Sequence, residues 1–361
     1  MKFSLMLFSG ALERSTSEEY DRVLQIAQIA DRANFHAIWL PERHLTRFGA
    51  PYPNPLLVLA AIATSTERLA LRAGSLVAPL HDAVRITEDL GVLDNLSRGR
   101  VEVAFASGWH PNDFISRPEA YANRRAITLD RAVAVERLWQ GAPMLRENGL
   151  GQSTPVATLP RPIRPRLPIW LTAAGTHETY AAAGRLGYDL LTHVLGGDLA
   201  ALQANVAAYR GARSQAGLDP AKGRVALMLH TFLGESQDEV VALAEGPFTE
   251  YLKSIAPLGK GLADARAHSI DVDKLEPQQL ERFARFQFER LSRGKALFGT
   301  PEGVLGTVQN LAAIGVDEIA CLIDFGISGD IVQDHLTSLI RLRDMVHTCS
   351  QNDAKRGNAA C

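Results

Sequence analysis

The feature that most constrains the fold is a regular alternation of short apolar runs and amphipathic segments along the 361 residues. Eight runs have the length of buried strands, and they alternate with stretches that show the 3.6-residue periodicity of a helix. The predicted strands are Phe3–Phe8, Ala37–Leu40, Ala70–Ser75, Val101–Ala106, Pro168–Leu171, Asp189–Thr192, Val225–His230 and Glu318–Ile323. This pattern predicts a single parallel (β/α)8 barrel over residues 1–349, of the TIM type.

Two connections are longer than a minimal barrel needs. Residues 110–167 follow the fourth predicted strand, and residues 256–300 follow the seventh. Loops after barrel strands lie at the ligand-binding face, so we expect both insertions there, with a mobile lid between about Pro257 and Lys295. The polar residues 350–361 are expected to form a disordered tail.

The composition argues against several functional classes. A hydrophobic content of 46% supports a large core, and a net charge of −2 gives no electrostatic case for nucleic acid or an anionic membrane. The apolar runs are too short to span a bilayer, and residues 1–10 are interpreted as a strand and not as a signal peptide. Three cysteines (Cys321, Cys349 and Cys361) do not form a disulfide framework, so we expect a cytoplasmic protein.

Polar residues cluster where the predicted strands end, which is where barrels place their ligand-binding groups. These residues are Glu42, Arg43, His44, Gly74, Ser75, Ser107, Trp109, His110, Thr172, His193, His230 and Asp324. No HExxH, CxxC or GxSxG sequence is present, which disfavours a metal site and a serine nucleophile. Four other histidines, His81, His268, His335 and His347, are assigned structural roles. The pattern favours a site in which a bound cofactor carries out the chemistry.

A turn of small residues, Ala173-Ala174-Gly175-Thr176, lies between a predicted strand and a predicted helix. Backbone N–H groups, a hydroxyl and a helix N-terminus together suit a phosphate. An ordinary helix N-cap at Thr176 explains the same sequence equally well, so both interpretations stay open.

Five segments resemble the bacterial-luciferase-like flavin monooxygenases. They are WLPERHLTRFG (39–49), GSLVAPLHDAVRITEDLGVLDNLSRGR (74–100), ASGWHPNDF (106–114), IWLTAAGT (169–176) and GTPEGV…GVDEIACLIDFG (299–326). The ERH, SGWH and IACLIDFG parts are similar to the subgroup that acts in polyketide and nonribosomal-peptide biosynthesis.

The resemblance implies a monooxygenase that uses O2 and reduced FMN, the latter supplied by a separate flavin reductase. A C4a-peroxide of the flavin would then insert one oxygen atom into an organic substrate. Gly74 and Ser75 would form a non-prolyl cis peptide beneath the isoalloxazine ring, and Ala173 to Thr176 would hold the FMN phosphate. Relatives of this kind pair through the helices after strands 2 and 3, which implies a homodimer.

The sequence departs from luciferase itself at two positions. Arg43 stands where luciferase has its catalytic histidine, although the adjacent His44 is retained. Ser107 stands where luciferase has a phosphate-binding arginine, and Arg124 or Arg125 is the candidate for the missing charge.

These observations lead to a specific prediction for the site. Glu42 and His44 are the predicted catalytic pair, and Trp109, His110 and His193 are predicted to wall the pocket. The substrate would be a small molecule, either free or held on a carrier protein. Two alternatives are a deazaflavin-dependent dehydrogenase on the same barrel and a non-catalytic flavin-binding protein.

Overall fold

The barrel is built from short strands that are buried on both faces. A computed structural model describes residues 1–8, 16–46, 51–173, 175–194, 198–255, 276–292, 294–327 and 329–356. Its strands are β1 (Lys2–Met6), β2 (Ala37–Leu40), β3 (Ala70–Val77), β4 (Val101–Ala106), β5 (Met144–Glu147), β6 (Ser153–Val156), β7 (Ile169–Ala173), β8 (Asp189–His193), β9 (Val225–Leu233), β10 (Leu297–Gly299) and β11 (Glu318–Leu322). Its α-helices are α1 (Thr16–Arg32), α2 (Pro55–Ser65), α3 (Ala83–Ser97), α4 (Arg124–Trp139), α5 (His177–Leu186), α6 (Leu199–Gln215), α7 (Gln237–Ile255), α8 (Pro277–Ser292), α9 (Pro301–Ala313) and α10 (Gly329–Arg356).

Eight of these strands close into a ring. They pair in parallel in the order β1, β2, β3, β4, β7, β8, β9 and β11, and β11 pairs again with β1. Parallel neighbours with helical crossovers and no free edge in this ring are the defining features of a (β/α)8 barrel. The predicted fold is therefore confirmed.

Four barrel strands (β3, β7, β8 and β9) run past their predicted carboxyl ends, and the changes in β3 and β9 are the most informative. β3 continues past Ser75 to Val77, with a shift in its register against β4 between Gly74 and Leu76. β9 continues past His230 to Leu233, because its last residues pair with the three-residue strand β10. Both extensions lie at the carboxyl-terminal rim of the barrel.

The connection after β4 contains structure that the sequence analysis did not predict. Besides α4, it holds the antiparallel hairpin of β5 and β6, whose residues are exposed or half-buried. Most of the segment predicted as a lid, together with Gly259 and Gly261, lies outside the described residues. The described part of that segment includes α8, which packs through Phe288 against Phe298 of β10.

The end of the chain differs from the predicted boundary at residue 350. α10 continues to Arg356, so residues 350–356 are helical, and residues 357–361 lie outside the described residues. The sequence QNDAKR contains neither proline nor glycine, and Gly357 is the first residue that favours a helix end.

A layer of buried charge fills the amino-terminal end of the barrel. The guanidinium of Arg72 lies 4.5 Å from the ring centroid of Trp39 and 4.7 Å from that of Trp170. It donates a hydrogen bond of 2.6 Å to Glu318 Oε1. Because paired charges and aromatic faces occupy this end, the opposite rim is left as the place for a ligand. No helix in the described part of the chain is long and apolar enough to cross a membrane.

Candidate active site

Glu42 is the centre of a hydrogen-bonded group at the carboxyl-terminal rim. Its carboxylate is buried, and Oε1 accepts hydrogen bonds from His44 Nε2 at 2.8 Å and from His81 Nε2 at 2.6 Å. Its other oxygen, Oε2, accepts from the backbone N–H of Val77 at 2.6 Å. The loop after β2 is thereby fixed to the end of β3, with Glu42 between two imidazoles.

The charge of this group follows from its hydrogen bonds. Burial opposes ionisation of Glu42, but the hydrogen bonds from His44 and His81 outweigh it and lower the pKa of the carboxyl. The hydrogen bond to Glu42 in turn raises the pKa of His44, although partial burial opposes this. The arrangement therefore holds an ionised carboxylate beside an imidazole that favours its protonated form.

Arg43 has different contacts from its neighbours Glu42 and His44. Its Nη1 donates to Asp113 Oδ2 at 3.1 Å, and its guanidinium lies 5.0 Å from the ring centroid of Trp109. Both charged side chains are buried, and burial raises the pKa of Asp113 because the attraction of Arg43 does not fully offset it. This contact brings Trp109 to the Glu42 loop. His110 is next to Trp109, with the two rings edge to face at 5.3 Å.

Gly74 and Ser75 lie directly beside Glu42. The peptide bond between them is cis, as the resemblance implies, and the Ser75 carbonyl accepts from the Glu42 N–H at 2.9 Å. A Cβ at Gly74 would lie 2.5 Å from Cε3 of Trp39, so only glycine fits against that ring. Ser75 Oγ lies 2.5 Å from Thr172 Oγ1, which joins the ends of β3 and β7.

The turn after β7 has the features of a phosphate site. Gly175 has a φ of +106°, which favours glycine, and Thr176 precedes the first turn of α5. Thr176 occupies the N-cap position of α5, as the ordinary interpretation expects, but its side chain makes no capping hydrogen bond. Ala173 ends β7 with a buried side chain, while Ala174 lies outside the described residues.

The two candidate arginines differ in position. Arg124 donates to the Gly108 carbonyl at 3.2 Å and to the Tyr121 carbonyl at 2.9 Å, so it is held against the loop after β4. Arg125 is exposed in the first turn of α4. Ser107 is half-buried, and its hydroxyl lies 3.4 Å from the Gly108 carbonyl. The geometry thus favours Arg124 over Arg125 as the cation near this loop.

His193 ends β8, and His230 lies within β9, three residues before its end, on the far side of the rim. His230 is buried among Phe248, Tyr251 and Phe325, with ring centroids 5.0 to 5.9 Å away. Burial and the nearby His193 lower the pKa of His230 to about 3, so this imidazole is neutral at physiological pH. Its Nε2 is buried and has no hydrogen-bond partner among the described residues.

The structure joins five of the predicted site residues and adds one that the sequence does not predict. Glu42, His44, Gly74, Ser75 and Trp109 belong to one connected group. His81 was assigned a structural role because it lies six residues beyond the predicted end of its strand, yet it contacts Glu42. The longer β3 and the short 3₁₀ turn after it return the chain to the rim, and no sequence pattern signals that return. Among the described residues, no three His, Cys, Asp or Glu side chains gather in a way that would hold a metal ion.

A comparison with protein families identifies the chain. The family model described as luciferase-like monooxygenase matches residues 1–318. The chain belongs to this family. Among curated relatives, the oxygenase component of the flavin-dependent trigonelline monooxygenase of Acinetobacter baylyi is 23% identical over 351 residues, covering 91% of this chain and 90% of that protein.

Several solved structures share the fold. Monooxygenase RslO1 from Streptomyces bottropensis has a TM-score of 0.76 at 24% identity, covering 94% of this chain and 98% of that one. The oxygenating constituent of 3,6-diketocamphane monooxygenase from Pseudomonas putida, solved in complex with FMN, has a TM-score of 0.71 at 18% identity, covering 95% and 96%. An F420-dependent secondary alcohol dehydrogenase also has a TM-score of 0.71, at 14% identity and covering 95% and 98%. At these identities the likeness concerns the fold, so the cofactor must be argued from the site.

Proposed function

We propose that this luciferase-like monooxygenase uses reduced FMN and O2 to oxygenate an organic substrate. The observation that supports this most is the buried Glu42 carboxylate, which holds His44 at the rim beside the Gly74–Ser75 segment. An acid–base pair at this position is suited to proton transfer. A protein that only stores flavin has no need of such a pair.

The rim offers a fitting place for one phosphate monoester. The Thr176 hydroxyl is not used as a cap, and the positive end of the α5 dipole follows it. We assign the phosphate to this turn and its charge compensation to Arg124, with Ser107 on the same loop. Since we assign one phosphate site and find no second candidate among the described residues, the proposal favours FMN over FAD.

Ser75 in β3 and Trp109 on the loop after β4 would hold the ring of the cofactor. When bound, reduced FMN supplies the electrons for the activation of O2. Glu42 occupies Nε2 of His44 with a hydrogen bond, so Nδ1 is the His44 atom that can deliver a proton to the bound reactants. His230 keeps a neutral imidazole among aromatic rings, and it would contact an uncharged substrate.

The supply of reduced flavin by a separate reductase is supported by the trigonelline relative, which is named as an oxygenase component. A role in natural-product biosynthesis, on a free or carrier-bound substrate, rests on the resemblance of the ERH, SGWH and IACLIDFG segments.

A homodimer is supported by exposed leucine and valine side chains on α2 and α3, where Leu57 is 70% exposed and Val92 is 47% exposed. The other apolar residues of these helices pack mainly within the chain, so the dimer would rest on the few apolar side chains that are exposed.

One experiment tests the proposed reaction. The protein is titrated anaerobically with reduced FMN, reduced FAD and reduced deazaflavin, and the complexes are then exposed to air with candidate substrates. We expect tight binding of reduced FMN and a product that gains one oxygen atom from 18O2, measured by mass spectrometry. Hydride transfer from the deazaflavin without uptake of O2 would instead support the dehydrogenase alternative, and binding without any turnover would support a flavin-storage protein.

A further inference from the structure

His81 shares one carboxylate oxygen with His44. Each imidazole directs its Nε2 to Glu42 Oε1, at 2.6 and 2.8 Å, while Glu42 Oε2 is occupied by the Val77 N–H. Two N–H donors therefore use the two lone pairs of a single oxygen. The carboxylate is fixed by the backbone on its other side, so it cannot rotate to separate them.

One negative charge faces two groups that can each become positive. A carboxylate stabilises a neighbouring imidazolium, but two imidazolium ions bound to the same oxygen repel each other strongly. Protons then bind in two coupled steps that belong to the pair. The first proton is stabilised by Glu42, and the second is opposed by the first.

We propose that His81 is a positioning residue that competes with His44 for Glu42, so that the pair carries one imidazolium charge and His44 releases its proton more readily. This inference rests on the proposed function for its role in catalysis, because it deepens the part assigned to His44. The side chain of His81 is 33% exposed, which gives it access to protons from solvent. The side chain of His44 is 27% exposed and lies on the loop that also carries Arg43.

Other charges around His44 partly cancel. Asp113 raises its proton affinity and Arg43 lowers it, and these two side chains are paired with each other at 3.1 Å. Glu42 therefore remains the charge with the largest effect on the pKa of His44. A change at His81, which contacts the same carboxylate, is expected to shift that pKa.

The charges around His81 are balanced in a similar way. Asp82, the next residue, caps α3 through the Val84 N–H. Its carboxylate also lies 3.4 Å from Arg131 and 3.5 Å from Arg146. The charge of Asp82 is thus engaged by two cations, and the hydrogen bond to Glu42 is the distinctive contact of His81.

The test is an NMR titration of the full chain without flavin, with isotopically labelled histidine, between about pH 5 and pH 9. His81→Gln keeps an N–H donor for Glu42 but cannot be protonated in this range. We expect the titration midpoint of His44 to rise by about one pH unit in this variant.

The control is His347→Gln, which removes an exposed histidine from α10 and should leave the His44 midpoint unchanged. His81→Asn provides a second variant if the glutamine does not fold, as checked by circular dichroism. An unchanged His44 midpoint in a folded His81 variant would overturn the coupling.

A second readout connects the coupling to turnover. In His81→Gln the alkaline limb of the pH profile for coupled oxygenation should move upward with the His44 midpoint. Because the NMR titration is made without flavin, it can succeed even if the proposed monooxygenation is wrong, so the two failures are distinguishable.

Discussion

Nε of Arg72 donates a 2.9 Å hydrogen bond to Oε2 of Glu102 inside the barrel, where both side chains are almost completely shielded from water. Trp170 Nε1 donates to the same oxygen at 2.9 Å, and Arg224 lies 3.3 Å from it. Burial opposes the ionisation of Glu102, but Arg72 and Arg224 outweigh it and lower its pKa to about 2.

This shift predicts how stability depends on acid. A carboxyl whose folded pKa lies below its unfolded value of about 4.5 stabilises the fold above that value and loses this contribution as the pH falls towards 2. Glu102→Gln should lower the free energy of unfolding by about 3 kcal/mol at pH 7, and the difference from the parent should shrink between about pH 4.5 and 2. Urea unfolding at several pH values measures this. Glu119→Gln, at an exposed ion pair, should change stability by less than about 0.5 kcal/mol. A pH-independent difference for Glu102→Gln would contradict the assignment.

The second prediction concerns the Thr176 hydroxyl. Thr176→Val keeps the shape of the side chain but removes a hydrogen bond to a charged phosphate, which is worth about 1.5–3 kcal/mol. Binding of reduced FMN should therefore weaken about tenfold to a hundredfold, measured by anaerobic fluorescence titration. Thr348→Val, on the exposed side of α10, is the matched control and should bind as the parent does. Equal affinity of the two variants would place the phosphate elsewhere.

The third prediction separates Arg124 from Arg125. Arg124→Met should weaken FMN binding, because one cation near the phosphate is lost. For the same reason, the affinity of the variant for FMN should depend less on salt concentration than that of the parent. Arg125→Met changes an exposed arginine one residue away on α4 and should leave the affinity within about twofold. If Arg125→Met has the larger effect, the assignment of the phosphate's charge compensation to Arg124 is wrong.

The fourth prediction concerns the role of His44 in coupling. His44→Ala should bind reduced FMN normally, since the imidazole is not assigned to the phosphate. It should form about 10²–10⁴-fold less oxygenated product per unit time and release H2O2 in its place. Product mass spectrometry and a peroxide assay measure the two outcomes together. Unchanged coupling would leave His44 with a structural role only.

The fifth prediction concerns assembly. Leu57→Glu places a charge on the exposed apolar face of α2 and should convert a dimer into a monomer of 39.3 kDa, as measured by light scattering. Leu150→Glu alters a leucine that is 81% exposed in the turn between β5 and β6, and it should leave the dimer intact. A parent protein that is already monomeric at micromolar concentration would reject this interface.

The sequence predicts the barrel well because each barrel strand is a short apolar run between clear helical segments. Three strands are not predicted by such a pattern. β10 has only three residues, and β5 and β6 form a largely solvent-facing hairpin without an apolar core of its own. Their formation depends on pairing with a partner, which local patterns do not encode.

The position of a polar side chain at the rim was predictable where it lies at or just beyond the predicted end of a strand, as at Glu42 and Ser75. It was not predictable where the backbone turns back towards the rim, as at His81. The ion pair of Arg43 with Asp113 joins loops that are 70 residues apart, and only the closed barrel brings them together.

The buried charges of Arg72, Glu102 and Glu318 lie at the amino-terminal ends of their strands, whereas Glu42, His44 and the Thr176 turn lie at the opposite rim. Stability and chemistry are thus carried by different ends of the same strands. In evolution, the rim loops can accumulate changes that alter the accepted substrate while the ionic layer keeps the scaffold folded. Directed evolution of a new specificity would therefore begin with the loops after β2 and β4, and would leave the interior of the barrel untouched.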